Sequence, residues 1–343
     1  MHHMVAATLF YMLCFLFSPI LLAGYVLWVG KSIVSGRNSG VSGTAQGPLS
    51  ARVFAHRLGT RPDEPANRLL LAIPGISPLG VQLVIGPIVL AHRLTGYMPK
   101  AFRYPFEGDV PKQEEASARI AFFDDTVTRY LADRDQFVIL GAGFDTRPYR
   151  FPRDPAIKSF EVDLPQTQAV KRAALARAGI DTAGVTFVPA DFEQEDWLAQ
   201  LVRAGFDPHR PALFLWEGVI VYLDRAAVEE TLRKIAGTAR GTIVAFDYFT
   251  SEVLTSQDLY WRYARVTTRA AGEPLKFGVD STPPVRDRLA ELLNACGLAL
   301  DTQRTLGDET HGRRAWGGFA TAIVQSTTRD WKVKGSFAAG HHD

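Results

Sequence analysis

A chain of 343 residues is long enough for one large domain or two ordinary ones. Hydrophobic residues make up 47% and charged residues 22%, which excludes wholesale disorder, and a formal net charge of +2 is too small to indicate a nucleic-acid-binding protein. Cys14 and Cys296 lie far apart without ligand-spaced partners, so we predict no metal site and no disulfide framework.

The first segment is apolar, because no charged residue occurs from Met4 to Gly30. A helix crosses the hydrocarbon core in about 20 residues, so this run is long enough to span a membrane, and it is too long for a signal-peptide core of roughly 7–15 residues. Trp28 and Lys31 near its end suit a membrane interface with positive charge on the inside. We predict a single-pass transmembrane anchor over residues 1–30, with the body of the protein on the cytoplasmic side. A buried N-terminal helix is the alternative.

The next two segments differ in composition. Residues 31–50 are rich in glycine and serine and are predicted to form a linker. Residues 51–135 are predicted to form a helical cap or lid. Three prolines interrupt its apolar stretch, Leu69–Ala91, and therefore argue against a second membrane span.

From residue 136 short apolar runs alternate with helical patterns, which indicates a doubly wound, mostly parallel α/β sheet over residues 136–326. Helices are predicted at Gln166–Ala178 and Arg225–Ala236, and a loose tail at 327–343. The predicted strands are Gln136–Leu140, Ser159–Val162, Val185–Pro189, Ala212–Trp216, Thr242–Phe246, Leu298–Gln303 and Phe319–Gln325.

The first strand runs into a turn with two glycines, Gly141 and Gly143, which allow a close backbone approach to a ligand. Asp163 ends the next strand, 20 residues after Gly143, where a carboxylate can accept both ribose hydroxyls of a nucleoside. The third glycine of a pyrophosphate-binding loop is replaced by Thr146. The pattern therefore favours a nucleoside ligand without pyrophosphate.

Two further carboxylates follow predicted strands. Asp191, with Phe192 beside it, comes after the third strand and could hold an adenine, and Glu217 follows the fourth strand. Ligands of open α/β sheets bind at this carboxyl edge. Each carboxylate alone could be a solvated or capping residue, but together they predict a nucleoside site.

At these positions the chain resembles the leucine carboxyl methyltransferase family, including bacterial relatives that methylate polyketides and other small molecules. The resemblance spans roughly Arg119 to Val324 and implies a Rossmann-like class I methyltransferase fold with a helical cap and S-adenosyl-L-methionine as cofactor. The matching segments are Leu140–Arg147, Phe160–Pro165 with Lys171, Ala190–Phe192, Glu217–Val219 with Tyr222–Leu223, and Gly272–Pro274 with Phe277–Gly278.

The resemblance also implies roles for single residues. Arg119 would pair with the cofactor's carboxylate, and the family's first basic contact has only Arg52 as a weak counterpart. The other expected cofactor contacts are Gly141 at the methionine part, Gly143 in the same turn, Asp163 at the ribose, Asp191 and Phe192 at the adenine, and Glu217 near the methyl group. The apolar N-terminal run is not a general feature of the family.

The sequence says less about the methyl acceptor than about the cofactor. A carboxylate acceptor is already ionised at neutral pH, whereas a hydroxyl needs a general base. Since no His–Asp pair is evident, we predict a small hydrophobic carboxylic acid as acceptor, with Glu217 and Tyr222 as catalytic residues. Tyr222, Tyr248 and His311 are the candidate bases for a hydroxyl, and Arg147, Arg313 or Arg314 the candidate clamps for a carboxylate.

Two other functions remain open at this point. A nicotinamide-dependent oxidoreductase would explain the glycines and Asp163, but it would leave Asp191 and Glu217 unexplained. A membrane-tethered protein that binds the cofactor without transferring methyl groups is the second alternative.

Overall fold

The computed structural model of the chain describes residues 2–39, 45–150 and 156–325, and within them a seven-stranded sheet. The strand order is β3-β2-β1-β4-β5-β7-β6, with β1 to β5 parallel and β7 antiparallel to both of its neighbours. The predicted mostly parallel, doubly wound sheet is therefore confirmed. The strands are β1 (Gln136–Leu140), β2 (Lys158–Asp163), β3 (Val185–Pro189), β4 (Ala212–Trp216), β5 (Ile243–Phe249), β6 (Leu298–Leu306) and β7 (Gly317–Val324).

Helices cover both faces of this sheet, and the central strands are accordingly continuous apolar runs. On β1, Val138 and Leu140 enter the core on one face, whereas Phe137 and Ile139 enter the core on the other. The helices of this part are α6 (Glu115–Tyr130), α7 (Arg147–Arg150), α8 (Pro165–Arg177), α9 (Trp197–Arg203), α10 (Arg225–Ala236), α11 (Ser251–Thr255), α12 (Leu259–Ala270) and α13 (Val285–Ala295).

The cap consists of α3 (Gln46–Arg57), α4 (Glu64–Ala72) and α5 (Pro78–Thr95). Their apolar side chains share one core with Phe144 of the loop after β1 and with Leu175 of α8. The last helix within the predicted cap range, α6, instead packs Phe123 and Val127 against β1 and β4. By its packing, α6 belongs to the sheet.

The N-terminal apolar segment forms two helices, α1 (His2–Leu16) and α2 (Ser18–Ser39), bent by 61° at the break between them. Pro19 explains the break, because it lacks the N–H that would continue the ladder of α1 and its ring crowds the preceding turn. The predicted linker also differs from the structure, since α2 continues to Ser39 and α3 begins at Gln46. Residues 40–44 and the predicted tail, 327–343, lie outside the described residues.

The stretch Leu69–Ala91 contains the end of α4, a short loop and most of α5. Pro78 occupies the first turn of α5, where a missing N–H costs nothing, but Pro87 lies inside the helix without ending it. The prolines therefore leave one long helix here, and the expectation that this stretch is not a second membrane span stays a prediction. Both α5 and the bent α1–α2 pair have the length and apolar composition of a membrane span.

A buried network of charges joins the cap to the sheet through Asp124 of α6. Its carboxylate accepts hydrogen bonds from Arg61 Nε at 2.6 Å, Arg147 Nε at 2.8 Å and Arg150 Nη2 at 2.6 Å. Arg61 also pairs with Asp63, which caps the N-terminus of α4. Burial favours the neutral form of Asp124, but Arg147 and Arg61 outweigh it and hold its pKa well below the usual range.

We expect Asp124→Asn to lower the free energy of unfolding by about 3 kcal/mol or more, because removing one partner leaves buried guanidinium charges uncompensated. Urea unfolding would measure the loss. The matched control is Asp125→Asn at the next, exposed position, which should be nearly neutral. Equal stability of the two variants would contradict a structural role for the network.

Candidate active site

A cavity of about 350 Å³ lies at the carboxyl ends of β1 to β4, beneath the first turns of α3. Every residue predicted to bind the cofactor or to act in catalysis lines it. From the sheet side these are Gly141, Gly143, Asp163, Asp191, Phe192, Glu217 and Tyr222, and from α6 Arg119. The cap contributes Ala45, Pro48, Leu49 and Arg52, and a later loop contributes Gly272–Pro274 and Lys276.

The turn after β1 requires glycine for two reasons. Gly141 has a φ of 64°, which side chains rarely tolerate, and a Cβ at this position would lie 2.3 Å from Val219 Cγ2. Its N–H donates to the carbonyl of Val162 at 2.8 Å, which ties the turn to β2. The backbone is thereby brought to the cavity wall without an intervening side chain.

Asp163 stands at the end of β2 and is buried. Its carboxylate accepts hydrogen bonds from the N–H groups of Gly143 at 2.5 Å and Leu164 at 2.7 Å. Burial nevertheless raises the pKa of Asp163 to about 6, because these bonds only partly offset the loss of solvation. Both oxygens keep acceptor capacity for a ligand in the cavity.

The loop after β3 forms a different wall of the cavity. Asp191 Oδ1 accepts from the N–H of Glu193 at 2.8 Å, which fixes the turn. The half-buried Phe192 packs edge-on against Trp197, with ring centroids 6.0 Å apart. A planar apolar surface and a carboxylate thus lie side by side.

Arginines surround Glu217 at the end of β4. Arg52 Nη2 lies 2.9 Å and Arg147 Nη1 2.5 Å from Glu217 Oε2, while Arg119 Nε lies 3.6 Å from Oε1. Burial favours the neutral acid, but Arg147, Arg52 and Arg119 together lower the pKa of Glu217 below its ordinary value. Glu217 is therefore a fixed negative charge and a poor general base.

Three buried polar atoms beside the cavity are left without a hydrogen bond among the described residues. They are Arg52 Nε, Arg119 Nε and Glu217 Oε1. A buried donor or acceptor without a partner costs about 1–3 kcal/mol, so a ligand that supplies the partner gains affinity. The set fits a ligand that carries both an anionic and a cationic group, as an amino acid does.

Two acidic residues that the sequence analysis missed complete this cluster. Asp247, in β5, accepts from the N–H of Gly218 at 2.6 Å and pairs with Arg119 Nη1 at 3.2 Å. Glu115, one turn before Arg119 in α6, lies 3.6 Å from Arg119 Nε. Burial, with Asp247 and Glu217 nearby, raises the pKa of Glu115 to about 7 against the opposing effect of Arg119. Asp247 directly follows the predicted strand Thr242–Phe246, so the strand-end rule would have found it.

Several candidates for the acceptor site lie elsewhere. Tyr248 is in the core, where its hydroxyl accepts from Gln303 at 2.6 Å and burial raises its pKa to about 12, and His311 lies on an exposed turn. Arg147 is fully buried among carboxylates, and Arg313 and Arg314 line an open groove beside Trp261 and Trp316. The structure therefore does not support these five residues as base or clamp, because none lines the cavity.

Comparisons with known proteins agree with the site. The sequence profile of the family described as leucine carboxyl methyltransferase matches residues 109–236. A Mycolicibacterium vanbaalenii protein, named as an S-adenosyl-L-methionine-dependent methyltransferase, is 32% identical over 244 residues, which cover 68% of this chain and 74% of the relative. A Mycolicibacterium smegmatis protein of the same designation is 35% identical over 212 residues, covering 61% and 67%.

Among solved structures, an O-methyltransferase family protein from Burkholderia thailandensis has 17% sequence identity and a TM-score of 0.42, covering 62% of this chain and 61% of that one. Similarity at this identity and TM-score does not indicate an activity for this chain. Similarity to the curated relatives decides against a nicotinamide-dependent oxidoreductase and against a binding protein without activity. The chain belongs to the leucine carboxyl methyltransferase family and is an S-adenosyl-L-methionine-dependent methyltransferase.

Proposed function

We propose that the protein transfers the methyl group of S-adenosyl-L-methionine to an oxygen of a small hydrophobic molecule, with a carboxylate as the first candidate acceptor. The observation that carries the proposal is the set of buried polar atoms at the cavity that make no hydrogen bond among the described residues. Arg119 Nε offers a donor for the cofactor's carboxylate and Glu217 Oε1 an acceptor for its ammonium group. Arg52 Nε is a second donor beside the same end.

The rest of the cavity suits the remaining parts of the cofactor. Asp163 would accept the ribose hydroxyls, and Gly141 and Gly143 would let the backbone approach the methionine part. Asp191 and Phe192 would contact the adenine through its amino group and its face. These roles agree with those that the family resemblance implies for the same positions.

The chain's contribution to the reaction would be placement. S-adenosyl-L-methionine supplies a methyl group activated on a sulfonium, and an acceptor oxygen displaces the thioether in line. Holding oxygen and methyl carbon in near-attack geometry can account for about 7–11 kcal/mol of a barrier. Tyr222, which lines the cavity, would orient the acceptor, and the fixed charge of Glu217 would hold the cofactor's ammonium group.

A carboxylate acceptor is favoured because no histidine among the described residues lines the cavity and because Glu217 is held ionised by arginines. One observation favours a hydroxyl acceptor as the second candidate. Glu115 does not line the cavity itself, but it lies 3.6 Å from Arg119, which does, and its pKa of about 7 suits a general base at neutral pH that takes the acceptor's proton through one intervening water.

We expect Asp163→Asn to weaken S-adenosyl-L-methionine binding by roughly a hundredfold or more, since two hydrogen bonds to a charged group contribute about 1.5–3 kcal/mol each. Isothermal titration calorimetry would measure the affinity, and Asp163→Ala should abolish binding while leaving the fold intact. The control is Asp287→Asn on the exposed face of α13. Unchanged affinity in the Asp163 variants would remove this residue from the site.

The raised pKa adds a pH test of the same residue. Only the ionised carboxylate accepts both ribose hydroxyls, so affinity should be constant well above pH 6 and fall about tenfold per pH unit below it. In Asp163→Asn this step should disappear. A step that persists unchanged in the variant would assign the titration to another group.

For Arg119 we expect a ligand-dependent loss. Arg119→Met should weaken binding of S-adenosyl-L-methionine by roughly tenfold to a hundredfold but leave binding of its decarboxylated analogue nearly unchanged, because only the former carries the carboxylate. The comparison of two ligands separates a direct contact from general damage to the cluster. Equal losses for both ligands would contradict the pairing.

The acceptor class can be decided from the product. We expect the enzyme to convert lipophilic carboxylic acids to methyl esters. Mild alkali hydrolyses methyl esters, whereas the methyl ethers formed from phenols resist alkali. Mass spectrometry before and after alkali treatment would distinguish the two products. Glu115→Gln provides the second readout. With a hydroxyl acceptor the wild-type rate should rise with pH through about 7, and this step should vanish in the variant. Alkali-resistant products together with that loss would establish the second candidate instead.

A further inference from the structure

The helices α1, α2 and α5 expose an unusual amount of apolar surface. Phe15 of α1 is 81% exposed, Leu22 of α2 is 64% exposed, and Leu94 of α5 is 65% exposed. Between His3 and Lys31, the sequence of α1 and α2 contains no Asp, Glu, Lys, Arg or His. Exposed patches of this kind mark protein or membrane contacts in folded proteins.

These three helices form one layer, which we call the apolar belt (α1, α2 as far as Lys31, and α5). Phe10 of α1 contacts Tyr97, just beyond the end of α5, with ring centroids 5.4 Å apart. Farther along, a Cβ on Gly80 of α5 would lie 2.9 Å from the carbonyl oxygen of Gly24 of α2. The bent α1–α2 pair therefore runs antiparallel along α5, and the glycines let the two backbones approach closely.

A basic groove lies at one end of the belt, beside the first turn of α5. Among the residues that the structure describes, three exposed cations line it, namely Lys31, Arg68 and Arg177, and no Asp or Glu does. All three donate to backbone carbonyls rather than to carboxylates: Lys31 to Ile76 at 3.1 Å, Arg68 to Gly179 at 2.9 Å, and Arg177 to Ala72 at 2.9 Å. Each guanidinium has more donors than these carbonyls accept.

We propose that the apolar belt and the basic groove together bind an anionic phospholipid bilayer, with the belt in the interface of one leaflet and the groove on the lipid phosphates. Helices that lie in an interface are attached by buried apolar area and by attraction of cations to anionic lipids. The structure has both features in contact. The proposal does not depend on which acceptor is methylated.

Placement in one leaflet follows from what lies on the other side of α5. Val81 and Ile85 face the cap core, and Gln82 accepts a hydrogen bond from Arg57 Nη1 at 2.8 Å. If α5 crossed the bilayer, the charged Arg57 and the polar cap would enter the hydrocarbon, where charge is costly. The α1–α2 pair lies along α5, so the same constraint applies to it. A belt parallel to the surface replaces the single-pass anchor expected from the sequence.

Vesicle flotation with the full-length protein, diluted from detergent, tests the proposal. We expect tighter binding to vesicles of phosphatidylcholine with phosphatidylglycerol than to phosphatidylcholine alone. The triple variant Lys31→Ala, Arg68→Ala, Arg177→Ala should lose most of this preference, since each cation near an anionic leaflet contributes about fivefold. The control removes three exposed arginines elsewhere: Arg203→Ala, Arg240→Ala, Arg286→Ala. Equal losses in both triple variants would overturn the groove's role.

The role of the apolar belt is tested by a second pair of matched triple variants. Phe15→Asn, Leu22→Asn, Val26→Asn should weaken binding to both kinds of vesicle, whereas Leu259→Asn, Tyr263→Asn, Val266→Asn on the equally exposed face of α12 should not. Thermal shift by S-adenosyl-L-methionine confirms that each variant is folded and keeps its cofactor site. Binding that survives loss of the belt side chains, or no binding of the wild type to either vesicle, would overturn the proposal.

Topology is tested separately. In a Cys14→Ala, Cys296→Ala background, His3→Cys on protein added to preformed vesicles should react with a membrane-impermeant maleimide, because one-leaflet placement keeps the N-terminus on the outer side. Detergent-solubilised protein gives the reference for full reaction. Protection of this cysteine until detergent is added would show that the helices cross, and would overturn placement in one leaflet.

Discussion

The structure depends on a group of arginines and carboxylates that are buried together where the cap meets the sheet. Arg147 contacts Asp124, Asp145 and Glu217, which belong to α6, the loop after β1 and the end of β4. Arg52 of the cap reaches Asp145 at 3.2 Å and Glu217 at 2.9 Å. Buried charges are tolerated only when they are paired, so these elements have to assemble in one arrangement. The cofactor cavity lies on the exposed side of this group.

The sheet was predictable because parallel strands covered on both faces are continuous apolar runs, and such runs are visible in a single sequence. Gln136–Leu140, Val185–Pro189 and Ala212–Trp216 were predicted with the bounds observed. Asp163, Asp191 and Glu217 were predictable for a related reason: the carboxyl ends of parallel strands meet at one edge. Their convergence on one cavity follows from topology.

The packing of the cap and the partners of the buried arginines could not be predicted in this way. Arg147, four residues after Gly143, was a candidate clamp for the acceptor, but its side chain contacts carboxylates at Asp124 of α6 and at Glu217 after β4. Arg52 lies 93 residues from Asp145 and 165 from Glu217. Such pairings depend on how separate layers pack, and no local pattern carries that information. Pro19 is a sequence signal for the break between α1 and α2, but the uniformly apolar run suggests one continuous helix.

The same ion pairs connect the cavity with the apolar belt. After α2, the chain re-enters the described structure at Ala45, whose Cβ would be 3.4 Å from a Cβ placed on Gly143, and α3 then contributes Leu49 and Arg52 to the cavity wall. Leu49 shares its core with Trp28 of α2 and Val81 of α5. Because Arg52 fixes α3 against Asp145 and Glu217, it also fixes the belt relative to the cavity. Under the two proposals above, a hydrophobic acceptor in the leaflet would reach a cavity whose position relative to the belt is set by these ion pairs.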